Sequence, residues 1–126
     1  MIRALAFALA VALPGAAAAA DKPIKFFGER HWAAVRDFYN EQMRAGQCPI
    51  GFAKKEGGCV APDHSRKWAV GKTLPSGVVR FDVPPALAAK LGKPPAGHRY
   101  VRVVADILLV SRSQFVADAI FDLGRR

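Results

Sequence analysis

Apolar residues recur at two different periods along the chain, and each change of period marks an element. Trp32, Val35, Tyr39 and Met43 fall three or four residues apart, with Ala34 and Phe38 beside them. That is one face of a helix, predicted over residues 29–45. Glu29 suits its N-terminal end and Arg44 its C-terminal end because of the backbone dipole. Gly46 is placed to end it. Phe27 and Trp32 are placed to form a hydrophobic staple at its entry. Further on, Trp68-Ala69-Val70 predicts a short strand, Leu74-Pro75-Ser76-Gly77 a turn, and Val78, Val79 and Phe81 a second short strand. Pro84-Pro85 opens a short helix with Leu87, Ala88 and Leu91 as its apolar stripe, and Gly92 closes it.

The densest β-forming run lies between Gly92 and Val110. Pro94-Pro95 is extended, because a residue before proline avoids the helical region. Gly97 then turns the chain into a strand over 99–104, and a turn at Ala105-Asp106 returns it over 107–112. On that pairing Val101, Val103, Leu108 and Val110 share one face. Tyr100, Arg102, Val104, Ile107 and Leu109 share the other. Both faces are mostly apolar, so both are expected to be covered. The last segment stays open between two readings. Phe115, Val116, Ala119, Ile120 and Leu123 fit a helix capped by Ser113, while Phe115-Val116 and Ile120-Phe121 also suit a strand. Periodicity favours the helix.

The first twenty residues follow different rules. Arg3 precedes an apolar run from Leu5 to Leu13, Pro14-Gly15 breaks it, and Ala16 to Ala20 offers small residues for cleavage. This is the pattern of a secretory signal peptide removed near Ala20, and the run is too short to span a bilayer. The remainder divides into a flexible leader over 21–27 and a single domain over 28–126.

Nineteen Lys and Arg against ten Asp and Glu give the chain a net charge of +9, and loss of Arg3 with the signal leaves +8. Such a balance favours anionic partners. Export argues against nucleic acid and for an anionic envelope surface or an acidic protein. The only cysteines are Cys48 and Cys59. In an oxidising compartment an even pair predicts a disulfide, worth about 3 kcal/mol for a ring of this size.

Candidate chemistry is sparse. His31, His64 and His98 fall on a helix, a connector and a turn, none at the spacing of a helical metal pair. They are expected at the surface, as are the carboxylates of Asp106, Asp118 and Asp122. Ser65, Ser76, Ser111 and Ser113 lie in no nucleophile motif. No catalytic residue, metal ligand or cofactor is expected. Lys54, Lys55, Arg66 and Lys67 recur around the cysteine loop with Phe52 among them, a candidate anion-binding or partner-binding patch.

Several motifs in combination resemble the RcnB family of small exported bacterial proteins. They are Trp68-Ala-Val-Gly-Lys-Thr-Leu-Pro75, Pro84-Pro-Ala-Leu87, and Leu91-Gly-Lys-Pro-Pro-Ala-Gly-His-Arg-Tyr-Val-Arg-Val103 with Asp106-Ile-Leu-Leu109. The segments Arg44-Ala-Gly-Gln-Cys-Pro49, Gly51-Phe-Ala-Lys-Lys55 and Gly58-Cys-Val-Ala-Pro62 resemble its CigR-like branch of anti-virulence regulators. The resemblance covers roughly residues 28–122. It implies a strand over 115–120 and a non-enzymatic periplasmic regulator or accessory protein that binds another periplasmic or membrane protein or the envelope. Nickel or cobalt homeostasis is the alternative that the wider family implies. No site residue carries over. The expected fold is α+β: an N-terminal helix plus a small antiparallel β-meander with one short inserted helix and one disulfide.

Overall fold

The computed structural model describes residues 21–62 and 65–125. The expected signal peptide and His64 lie outside them. The fold is α+β, and its centre is a four-stranded antiparallel sheet in the order β3-β4-β5-β6. These strands are Phe81–Asp82, His98–Val103, Asp106–Ser111 and Val116–Ile120. Helix α1 spans Glu29–Arg44, and helix α2, Pro85–Leu91, is inserted between β3 and β4. A separate two-stranded hairpin, β1 Ala53–Lys55 and β2 Gly58–Val60, sits inside the cysteine loop. The Cys48–Cys59 disulfide is formed.

The two faces of the sheet divide as the alternation predicts. Tyr100, Ile107, Leu109 and Ile120 pack under the helices with Val35, Tyr39, Leu87 and Leu91. Val101, Val103, Leu108, Val110, Val116 and Ala119 pack on the opposite side against Trp68 and Leu74. Covering both faces explains why every residue of β5 is buried. The β4–β5 turn falls one residue earlier than expected, at Val104-Ala105, because Val103 pairs with Asp106. Val104 takes a φ of +52° there, an unusual conformation for a β-branched side chain.

The C-terminal segment is strand β6, so the helix that periodicity favours does not form. Its residues are apolar on both faces, which mimics helical periodicity, and the long edge of β5 wins them. Register slips between Leu109 and Val110, since Leu109 pairs with Asp118 and Val110 with Val116. Ala117 is thus the extra residue of a β-bulge.

Three further expectations change. No strand forms at Trp68–Val70: the chain turns there, and residues 71–74 run along the edge of β6 instead. The Gly71 N–H donates to Val116 O at 2.8 Å, the Val116 N–H to Lys72 O at 2.9 Å, and the Leu74 N–H to Gln114 O at 2.7 Å. The second short strand contracts to Phe81–Asp82, because Val78 turns back to bond Pro75 O. The leader is docked rather than loose. The Ile24 N–H donates to Ala117 O at 3.1 Å, and those of Phe26 and Phe27 donate to Asp118 Oδ2 at 2.8 Å.

Closing the molecule, a 3₁₀ turn over Asp122–Gly124 packs on α1. A Cβ on Gly124 would fall 2.5 Å from Trp32 O and 2.8 Å from Arg36 N. Only glycine allows this approach of two backbones.

Candidate functional site

The polar side chains that the sequence offers as chemistry are mostly buried and bonded. His31, expected at the surface, is 8 % exposed. It is the third residue of α1, and its Nδ1 accepts the Gly28 N–H at 3.0 Å, the return half of a capping box, a role that a Glu or Gln normally takes. The ring proton therefore sits on Nε2, next to the Leu91 carbonyl. The Arg30 guanidinium lies 3.1 Å from that nitrogen. Burial foremost, and Arg30 after it, hold His31 below its ordinary pKa, against smaller opposing effects of Leu91 O and Asp118.

Asp106 is 4 % exposed rather than a surface turn residue. Arg66 grips it with two bonds, Nε to Oδ2 at 3.0 Å and Nη2 to Oδ1 at 3.1 Å. The Asp122 N–H donates to the same Oδ1 at 2.9 Å. Asp118 is likewise spent on the leader. Arg66 also reaches Asp122 Oδ1 at 3.1 Å and lies over the Phe121 ring, 4.7 Å from its centroid. The bonds to Asp106 raise its pKa further. One guanidinium thus ties the β4–β5 turn to the chain end.

Arg102 is the most buried cation, 3 % exposed, and its hydrogen bonds go to neutral acceptors. It donates to Val104 O at 2.7 Å and to Ile50 O, and its guanidinium lies 4.7 Å from the centre of the Phe81 ring. Burial lowers its pKa. It latches the cysteine loop to the sheet from below. The Tyr39 hydroxyl faces this guanidinium, yet it is buried without a hydrogen bond of normal geometry.

The expected basic patch is split. Lys54 and Lys55 stand on β1 and line a shallow groove with Met43 and the β1–β2 turn. Arg66 and Lys67 line a different groove, of about 620 Å³, with Trp68 and Val79. Among the described residues, only Lys67 of that second pair has no bonded partner. The second groove was not legible in the sequence, because it forms between three distant segments. Its walls are Trp68, Val78, Val79, Val103 and the strained Val104. Val79 on its rim is 68 % exposed, and Trp68 stacks on Phe121 at 5.8 Å with only 11° between the rings. Such an apolar surface edged by a lysine suits recognition of a protein segment.

Among the described residues no three His, Cys, Asp or Glu side chains converge in a metal-holding group. No helix among them is long and apolar enough to cross a membrane. No family model, curated protein or solved structure matches the chain.

Proposed function

We propose that the protein is a non-enzymatic regulator or accessory protein of the bacterial periplasm that acts by binding another protein. The observation carrying this reading is the groove beside Trp68, whose rim leaves Val79 in water above a wall of apolar side chains. The bonding of His31, Asp106 and Asp118 supports it. Each has the hydrogen-bond partners of a structural group. The disulfide suits an oxidising compartment outside the cytoplasm. The signal-like first twenty residues and the RcnB-like motifs narrow that compartment to the periplasm.

A photo-crosslinking residue replacing Val79 tests this in the exporting cell. It should trap a discrete protein adduct, and the same probe replacing Lys55 should not. Val79→Asp should abolish trapping by a probe at Lys67 while leaving Tm unchanged, because Val79 is exposed. No adduct from Val79, or equal adducts from Val79 and Lys55, overturns the reading.

A further inference from the structure

The open end of the β4–β5 hairpin, away from the Trp68 groove, carries a second surface of different chemistry. Two adjoining grooves share Gln114. The first is lined by His98, Arg99, Ser111 and Arg112, together with Gly97. The second is lined by Arg80, Ser113, Ser76 and Thr73. Neither lining contains an Asp or a Glu.

The two grooves place the charges together. His98 pairs with Ser111 and Arg99 with Val110. Arg112 follows Ser111 in the turn after β5 and lines the same groove as Arg99. Both arginines are exposed, and among the described residues neither has an ion-pair partner. Arg80 is anchored only by neutral oxygens, those of Gln114, Pro75 at 2.8 Å and Val78 at 3.3 Å. Its charge is therefore uncompensated as well. Gln114 joins the two halves from a left-handed conformation, φ +66°, costly for a residue other than Gly or Asn. It is held there by its N–H to Ser111 O at 3.0 Å and by Leu74, which donates to its carbonyl. Two carboxylates stand near. Asp21 accepts the Ser113 hydroxyl, and the exposed Asp82 pairs with Val101, two residues from Arg99.

We propose that this surface binds a phosphate group, with Arg99 and Arg112 as the principal ligands and Arg80 completing the cationic shell. Guanidinium groups match phosphate oxygens in geometry as well as charge. The site goes beyond the partner-binding reading and stands or falls separately from it, because none of its arginines, Arg80, Arg99 and Arg112, lines the Trp68 groove.

Full-length mature protein is titrated with vesicles of phosphatidylglycerol, with vesicles of phosphatidylcholine, and with inorganic phosphate alone. The variants are Arg99→Ala with Arg112→Ala, and a charge-matched control, Lys54→Ala with Lys55→Ala. All four positions are exposed, so both variants should keep the parent Tm. Binding to phosphatidylglycerol that falls at least about tenfold in the arginine variant and much less in the lysine variant assigns the site to a lipid phosphate. The same pattern with inorganic phosphate, without preference for vesicles, assigns it to a soluble one. Equal losses in the two variants reduce the effect to general basicity and overturn the proposal. So does an arginine variant that binds like the parent, or a parent protein that binds none of the three probes.

Discussion

At the scale of single residues, two buried groups make opposite demands. Tyr39 carries a hydroxyl that is buried without a hydrogen bond, and a hydroxyl left so costs about 1–3 kcal/mol. Tyr39→Phe should therefore leave thermal stability unchanged or raise it, a result that a melting curve would show directly. A clear fall in Tm would mean that the phenol bonds Arg102 after all. His31 makes the reverse demand: it must stay neutral, since protonating Nδ1 would break its bond to Gly28. Its folded pKa lies below 6.5 through burial and Arg30, so on acidification the unfolded chain takes up the proton first. The stabilisation by neutral His31 is complete above 6.5 and lost as pH falls through 6.5 toward the lowered folded value. Melting temperatures across that range should show the loss, and His31→Gln, which can still accept the Gly28 N–H, should flatten it. None of this is written in the sequence around His31. Histidine is an uncommon partner in a capping box, and the burial comes from Phe26 and Phe27, whose rings lie 5.1 and 5.7 Å away.

At the scale of elements, the cysteine loop is held at two independent points, the disulfide and Arg102. Replacing Cys48 and Cys59 with serine should lower stability by about 2–4 kcal/mol, read from the urea midpoint. Amide exchange should quicken first at β1 and β2, while β4 and β5 stay protected, because the hairpin shares no ladder with the main sheet. The elements themselves were largely legible. The helix at 29–44, the inserted helix, the β4–β5 pair and its two faces follow from spacing alone. What escaped were the elements whose reason is tertiary. Trp68–Val70 has strand-forming residues and forms no strand, because the segment after it is drawn to the β6 edge. For residues 116–120 periodicity alone favours a helix, and only the family resemblance implies the strand that forms along the unpaired edge of β5. The β1–β2 hairpin was hidden inside what read as a plain loop of turn residues. The sites were less legible for the same reason. Lys54, Lys55, Arg66 and Lys67 cluster in the sequence and not in space. Arg80, Arg99 and Arg112 are scattered in the sequence and line two adjoining grooves at the open end of the β4–β5 hairpin.

At the scale of the whole molecule, the surface separates its two candidate activities. The apolar groove lies at the Trp68 end and the uncompensated arginines at the open end of the β4–β5 hairpin, so a partner and a phosphate could be held at once. Between them the sheet is covered on both sides and joined at its margins by the leader. The leader has a further consequence, which concerns time rather than structure. Its amides find their acceptors at Ala117 and at Asp118, the latter 92 and 91 residues further on. Contacts so remote along the chain close late, after the entropy of a long loop has been overcome. A chain emerging from its N-terminus first cannot complete this sheet margin until Asp118 is free. Until then these amides lack their native acceptors, so this margin closes after the β4–β5 hairpin.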